Sequence, residues 1–118
     1  MKDGIVQGVI YYCCEAGECE IVSLDSRVEN LGTGTKLIEL VILAADSLGC
    51  TKVWLITSND NTRAIRFYQK RGFDMVAVHH DAITEARKLK PSIPLTGYDG
   101  IPVRHEVEFE YRLTPSFS

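Results

Sequence analysis

The feature that most constrains the fold is a glycine-containing loop that joins an extended segment directly to an amphipathic helix. The loop, residues 29–35, reads Glu-Asn-Leu-Gly-Thr-Gly-Thr and follows an extended run at 19–25. Gly32 and Gly34 let the backbone turn tightly and let a ligand approach it closely. The following helix directs its first N–H groups, and the positive end of its dipole, at the loop. This arrangement predicts an anion site, most often for phosphate.

The loop alone is a weak signal, because two glycines separated by one residue also occur in plain turns. Gly34, Thr35 and Lys36 also hint at the phosphate-binding loop of NTPases. That motif requires Gly-Lys followed by Ser or Thr, and here the order differs. The interpretation of the loop therefore depends on residues further along the chain.

Length and composition exclude several classes of protein. The 118 residues are 45% hydrophobic and 25% charged, as in ordinary globular proteins, and we expect a single domain over residues 1–118. The net charge of −3 argues against nucleic acid or an anionic membrane surface as the main partner. No apolar run reaches the roughly 18 residues that cross a bilayer. The N-terminal Met-Lys-Asp-Gly lacks the apolar core of a signal peptide, which predicts a cytoplasmic protein.

Hydrophobic periodicity predicts an α/β chain. Apolar and β-branched runs predict strands at 5–14, 19–25, 52–57, 73–80 and 103–113, and helical patterns predict helices at 34–48, 62–71 and 81–89. The first two strands form a hairpin around a turn at 15–18. The strand–helix–strand unit that follows must pair its two strands in parallel.

Three patterns predict which residues of these elements are buried. The first helix carries an apolar stripe at Leu37, Val41, Ala44 and Leu48, widened by Ile38 and Ile42. The apolar run 52–57 predicts a central strand covered on both faces. One face of the last strand carries Val103, His105, Val107, Phe109 and Tyr111. His105 is therefore expected to be a core histidine with its polar atoms satisfied.

The segment 61–73, Asn-Thr-Arg-Ala-Ile-Arg-Phe-Tyr-Gln-Lys-Arg-Gly-Phe, identifies a family when it is taken together with the glycine loop. It matches the pattern Asn-x-x-Ala-x-x-Phe-Tyr-x-x-x-Gly-Phe at Asn61, Ala64, Phe67, Tyr68, Gly72 and Phe73. Gly32 and Gly34 match the glycine positions of a preceding [Gln/Arg]-x-x-Gly-x-[Gly/Ala] loop. Over roughly residues 5–113 the chain resembles the GNAT family of acetyl-CoA-dependent N-acetyltransferases.

The resemblance implies a GNAT-like mixed β-sheet flanked by helices, with a V-shaped splay beside the central strand. It implies transfer of an acetyl group from acetyl-CoA to an amine, by direct attack in a ternary complex. An alternative is a CoA-binding or protein-interaction module that has the same core but no activity. The acceptor remains open among polyamines, aminoglycosides, amino acids and protein N-termini.

By resemblance, the acetyl-CoA site comprises Leu24, Ser26, Leu31, Gly32, Thr33, Gly34, Thr35, Asn61, Phe67, Tyr68 and Arg71. The backbone N–H groups of 31–35 are expected to hold the pyrophosphate. Asn61 is expected to bind the pantetheine arm as well as to cap its helix. Arg71 and Lys70 are candidates for the 3′-phosphate. Phe67 is expected to be buried against the sheet.

Two catalytic roles follow from the resemblance. Tyr68, one residue after Phe67, is expected to turn about 100° away towards the cleft and to protonate the leaving thiolate. Glu20 is the candidate general base, with Asp25, His79 and a water chain as alternatives. The backbone amides near Leu24 and Ser26 are expected to polarise the thioester carbonyl.

The cysteines and histidines are not expected to hold a metal. Cys14 and Cys19 flank the turn of the first hairpin and could lie close enough for a disulfide. Cytosolic thiols stay reduced, however, and together with Cys13 and Cys50 they are expected to be structural. The sequence His79-His80-Asp81 resembles a ligand cluster, but neighbouring residues of a strand point to opposite faces.

The sequence departs from the family pattern in two places. Glu29 stands where the family has Gln or Arg, with Arg27 a candidate to compensate. The chain also lacks the usual N-terminal strand and helices, which leaves the strand at 5–14 with an unpaired edge. Natural proteins usually cover such edges, so we expect a homo-oligomer, a dimer in the simplest case.

Overall fold

A computed structural model of the protein describes residues 8–26 and 32–113. The strands are β1 (Gly8–Glu15), β2 (Glu18–Ser26), β3 (Lys52–Ser58), β4 (Asp74–His79) and β5 (Glu106–Arg112). The helices are α1 (Thr33–Ser47), α2 (Thr62–Lys70) and α3 (Ala82–Leu89). The strands form one sheet in the order β1-β2-β3-β5-β4. The predicted α/β class with helices beside a mixed sheet is confirmed; the start of the first predicted strand lies outside the described residues.

Strand pairing follows the expected pattern. β1 and β2 form an antiparallel hairpin, and β2 pairs with β3 in parallel from Glu18–Lys52 to Glu20–Trp54. At the two ends of β3, the Asn59 N–H donates to the His105 carbonyl and the Leu113 N–H to the Thr51 carbonyl, so β5 runs antiparallel to β3. The β2–β3 ladder covers three residue pairs, and the V-shaped splay stays a prediction.

The described residues divide into two compact units. The first holds 8–26, 32–54 and 112–113, and the second holds 55–111. The buried hydrophobic residues of the first unit are Cys19, Ile21, Ile38, Val41, Ala45, Cys50 and Val53. Those of the second are Leu55, Tyr68, Phe73, Ile83, Val103, Val107 and Phe109. The expectation of a single domain over the whole chain stays a prediction.

Helix α1 buries a different stripe from the predicted one. Its buried residues are Gly34, Ile38, Val41 and Ala45, whereas the predicted member Leu48 is 67% exposed. At 100° per residue, the buried face is rotated by about 60° from the predicted one. The helix contacts β1 and β2, and this packing decides the rotation because apolar residues surround much of the helix. Gly49 ends the helix with a φ of 76°, as predicted.

The central and last strands depart from prediction in detail. Ile56 of β3 is 39% exposed and Trp54 is half-buried. The prediction that β3 is covered on both faces is therefore wrong. Strand β5 begins at Glu106 rather than at 103, because the Asn59 side chain intervenes. Its Oδ1 accepts hydrogen bonds from the backbone N–H groups of Arg104 and His105, both at 2.9 Å. A side-chain oxygen therefore takes two donors that a longer strand would have used.

The loop between α3 and β5 is anchored on a buried carboxylate. Asp60 is 5% exposed, and its Oδ2 accepts a hydrogen bond from the Tyr98 N–H at 3.2 Å. The backbone at Gly97 lies so close to this carboxylate that a Cβ would overlap with it. The same Cβ would lie 2.9 Å from Cγ2 of Val103. Glycine is therefore required at position 97 because there is no space for a side chain, and not because of its dihedral angles.

We expect Gly97→Ala to lower the free energy of unfolding by about 1–3 kcal/mol, the usual cost of overpacking a tight site. Urea denaturation monitored by circular dichroism measures it. Ser92→Ala in the same loop is the matched control, because Ser92 is exposed and should stay within about 0.5 kcal/mol of wild type. Equal stability of the two variants would contradict the anchoring role of Asp60.

None of the helices in the described part of the chain is both long enough and apolar enough to cross a membrane.

Candidate functional site

The N-terminus of α1 has the geometry that the glycine loop predicts. Gly32 adopts a left-handed conformation with φ 78° and ψ 3°, and the first turn of α1 contains no acidic residue. Gly32 has no side chain with which to cap the helix, and its carbonyl accepts a hydrogen bond from the Lys36 N–H. The first N–H groups of a helix have no acceptors within the helix, so Thr33, Gly34 and Thr35 direct theirs towards this end. Leu31, Glu29 and Arg27 lie outside the described residues.

Gly8 of β1 fixes the start of α1 against the end of β2. A Cβ at Gly8 would lie 2.9 Å from the Asp25 carbonyl oxygen, 3.0 Å from Cγ2 of Thr33 and 3.2 Å from Cδ1 of Leu37. The strand backbone therefore contacts both the last residues of β2 and the first turn of the helix. Sequence analysis missed Gly8, although a glycine inside a strand pattern is itself a signal for close approach.

Strand β2 carries a β-bulge that separates Glu20 from Leu24 and Ser26, three residues that were assigned to the site. Tyr11 pairs with Ser23 and Tyr12 with Ile21, so Val22 is an extra residue opposite β1. A bulge bends a strand and redirects the side chains beyond it, and bulges are frequent next to active sites. Leu24 and Ser26, beyond the bulge, pair with Ile10 and Gly8. Nothing in the sequence signalled this bulge.

Glu20 lies before the bulge, near the turn of the hairpin. It pairs with Cys13 of β1 and with Trp54 of β3. It lines a shallow depression together with Cys13, Glu15, Ala16, Glu18 and Trp54. Leu24 lies four residues further, about 13 Å along a strand. A proton on a group near Leu24 therefore cannot reach Glu20 in one transfer.

Asn61 caps α2. Its Oδ1 accepts a hydrogen bond from the Ala64 N–H at 3.2 Å, and its Nδ2 lies 3.4 Å from Oγ1 of Thr57. The predicted capping role is confirmed. A side-chain amide carries two N–H donors, so one donor is left over for a ligand.

The two aromatic residues of the motif occupy places opposite to those expected. Tyr68 is 6% exposed, and its ring packs at centroid distances of 5.3 Å from Phe73 and 6.1 Å from Phe109. Phe67 is only half-buried. The expectation that Phe67 is buried while Tyr68 turns outward is wrong, because β5 and the segment after α2 offer aromatic partners to the face that carries Tyr68. The catalytic role of Tyr68 remains a prediction.

Burial also changes the acidity of Tyr68. Removal of the phenol from water disfavours the phenolate and raises the pKa of Tyr68 to about 12. The hydroxyl therefore keeps its proton throughout the physiological range.

Arg71 contacts Phe67. The Arg71 guanidinium carbon lies 4.4 Å from the centroid of the Phe67 ring, a cation–π geometry. The contact holds the charge at the C-terminal end of α2. Both residues were assigned to the cofactor from the resemblance, and the structure brings them together.

His80 and Asp81, two residues of the run His79-His80-Asp81, form a cluster with His105, which the sequence did not place beside them. Their candidate ligand atoms lie within 4.8 Å of one another, and the two imidazole rings stack at a centroid distance of 4.6 Å. Asp81 is already paired with Arg104 at 2.9 Å, and Nδ1 of His105 accepts the Asp81 N–H at 2.8 Å. His105 is thus satisfied, as expected. Hydrogen bonding and charge attraction from Arg104 hold the pKa of Asp81 below its usual value, although desolvation raises it.

The structure has an α/β fold whose helix α1 begins after a left-handed glycine, and comparison with known proteins gives the family. The profile of the Acetyltransferase (GNAT) family matches residues 4–73. The Bacillus subtilis protein YdhI is 45% identical over 108 residues, which cover 92% of this chain and 68% of that protein. This chain therefore belongs to the GNAT acetyltransferase family.

Solved structures agree on the fold. A Bacillus subtilis acetyltransferase in complex with CoA superposes with a TM-score of 0.82 at 24% identity, over 97% of this chain and 74% of that one. A GNAT acetyltransferase from Elizabethkingia anophelis with acetyl-CoA bound gives a TM-score of 0.81 at 20% identity, over 96% and 72% of the two chains. The predicted GNAT-like fold is confirmed.

The raised pKa of Tyr68 predicts a pH dependence of stability. Below pH 10 the phenol is neutral in the folded and unfolded states, so its stabilising effect is complete. From about pH 10 to 12 only the unfolded state ionises, and about 2–3 kcal/mol is lost. Denaturation of wild type and Tyr68→Phe at pH 8 to 12 measures this difference. A stability difference between the two proteins that does not change with pH would contradict the raised pKa.

Proposed function

We propose that this protein transfers the acetyl group of acetyl-CoA to a primary amine. One observation carries the proposal: the chain belongs to the GNAT family, and its glycine loop enters α1 with a left-handed Gly32 and no acidic residue in the first turn. An anionic ligand meets no competing carboxylate in that turn. Structurally similar acetyltransferases have been solved with CoA and with acetyl-CoA, and these complexes support the choice of ligand.

The donor is bound chiefly by backbone groups. Thr33, Gly34 and Thr35, with Leu31, donate N–H groups to the pyrophosphate at the positive end of the α1 dipole. Leu24 and Ser26 offer the edge of β2 to the pantetheine arm and polarise the thioester carbonyl. Gly8 supports both groups, because it holds the end of β2 against the first turn of α1.

The second unit supplies side chains of the motif. Asn61 keeps one amide N–H for the pantetheine after it has capped α2. Phe67 gives an apolar surface, and Arg71, held over the Phe67 ring, offers its positive charge to the 3′-phosphate. Asn61 and Phe67 occupy named positions of the family's motif, whereas Arg71 lies at a variable position just before Gly72.

Tyr68 acts as a hydrogen-bond donor to the leaving sulfur. A thiol has a pKa of about 8.5, so full transfer of a proton from a phenol with a pKa of about 12 is uphill. The difference of roughly 3.5 pKa units corresponds to about 5 kcal/mol. A donated hydrogen bond stabilises the developing charge without that cost. Glu20 acts as the terminal proton acceptor and is reached through water molecules, because it lies about 13 Å along β2 from Leu24.

Charge reversal at the start of α1 tests donor binding. Lys36→Glu places a carboxylate beside the first turn and is expected to weaken acetyl-CoA binding by about 1 kcal/mol, roughly fivefold, in isothermal titration calorimetry. Lys90→Glu is the matched control, since it makes the same charge change at an exposed residue after α3. Equal affinities of the two variants would place the phosphates elsewhere.

Tyr68→Phe tests the chemistry. We expect kcat to fall by about 10²-fold, as when one hydrogen-bond donor to the developing charge is removed, while the Kd for acetyl-CoA stays unchanged. Released CoA is measured with a panel of polyamines, aminoglycosides, amino acids and peptide N-termini as acceptors. Tyr111→Phe, in the same aromatic cluster, is the control for packing. Acetyl-CoA binding without turnover on any amine would instead support the alternative of an inactive CoA-binding module.

A further inference from the structure

The tip of the β1–β2 hairpin brings two thiols into register. Glu15 pairs with Glu18, and the next pair is Cys14 with Cys19. Ala16 and Gly17 form the turn with φ values of 54° and 80°, as in the two-residue turns that suit hairpins. The residues next to such a closing pair form a non-hydrogen-bonded pair, with Cα atoms about 4.5 Å apart. A disulfide needs about 4.4–6.8 Å.

The side chains of Cys14 and Cys19 are in direct contact. The Cys14 thiol donates to Sγ of Cys19 with the two sulfur atoms 2.7 Å apart, and both cysteines are free thiols. The turn itself is held in place, because the Thr51 N–H donates to the Gly17 carbonyl at 2.7 Å. Formation of a bond of about 2.05 Å therefore needs only a small movement of the sulfurs.

We propose that Cys14 and Cys19 form a redox-active dithiol that a small-molecule disulfide oxidises to an intramolecular disulfide. The Cys14 thiolate attacks one sulfur of the oxidant, and the other sulfur leaves as a thiol once protonated. Cys19 then attacks Sγ of Cys14 and passes its proton to the leaving sulfur, which departs as the second thiol. The protein loses two protons and two electrons, and the oxidant becomes two thiols.

The environments of the two thiols set this order. Cys14 is partly exposed, so an oxidant reaches it from solvent. Cys19 is fully buried, and its burial, followed by its contact with Cys14, raises the pKa of Cys19 to about 12. A protonated, inaccessible thiol is a poor first nucleophile, but it needs no access to solvent to attack a mixed disulfide 2.7 Å away.

The other cysteines serve as internal comparisons. Cys13 is exposed and lies on the opposite face of β1, because neighbouring strand residues alternate; its cross-strand partner is Glu20. Cys50 is buried and close enough to Cys14 for their interaction to raise the pKa of Cys50, although burial contributes more. The strand register pairs Cys14 with Cys19.

Mapping of the oxidised protein tests the proposal. The reduced 118-residue chain is incubated with oxidised glutathione, the remaining thiols are alkylated, and the protein is cleaved with a glutamate-specific protease. Cleavage after Glu15 and Glu18 separates Cys14 from Cys19 unless a disulfide joins them. We expect the two fragments to stay linked until a reductant is added, and the intact mass to fall by two hydrogens.

Variants separate the two steps. Cys19→Ala is expected to stop at a stable glutathione adduct on Cys14, and Cys13→Ser, the matched control, to form the disulfide like wild type. Circular dichroism confirms that each variant is folded. Because the fragment 1–15 contains both Cys13 and Cys14, a link that persists in Cys13→Ser assigns the disulfide to Cys14. A Cys14–Cys50 link, adducts on Cys13 alone, or four thiols that all remain reduced would each overturn the proposal. Because acetyl transfer is not measured, the outcome is independent of the proposed function.

Discussion

The close contact at Gly8 is the constraint on which the first unit depends. With no Cβ, this residue lets the backbone of β1 lie against the Asp25 carbonyl and the side chain of Thr33. The end of β2 and the start of α1 are thereby held at one place, although the loop between them is long. An anion site built from N–H groups needs such support, because its affinity depends on donors that are already oriented before the ligand arrives.

Burial of Tyr68 stabilises the fold and, under the proposed function, also serves the chemistry. Its ring is packed edge-on against Phe67 and Phe73, which contributes apolar burial and favourable aromatic geometry. The same burial keeps the hydroxyl protonated. A side chain that is fixed by packing does not change its position. The place of the Tyr68 hydroxyl is therefore determined by the backbone of α2. This explains why Tyr68 is both a residue of the family motif and a residue of the aromatic core.

Local signals in the sequence predicted most of the elements, and longer-range packing decided what they missed. The capping Asn61, the stop at Gly49 and the parallel β2–β3 pair were predictable, since each depends on dihedral preference or chain topology. The rotation of α1 was not, because Leu37, Ile38 and Val41 are equally apolar and only contact with the strands selects among them. The deeper burial of Tyr68 relative to Phe67 was not predictable for the same reason, because its partner Phe109 lies some forty residues away in sequence.

The bulge at Val22 and the position of Glu20 together limit how an amine can be deprotonated. The bulge inserts one residue into β2, so the side chains beyond it no longer follow the alternation that begins at Glu20. Glu20 and Leu24 are also separated by about 13 Å of strand, far beyond the reach of a single hydrogen bond. A base at Glu20 therefore requires ordered water between it and the acyl group.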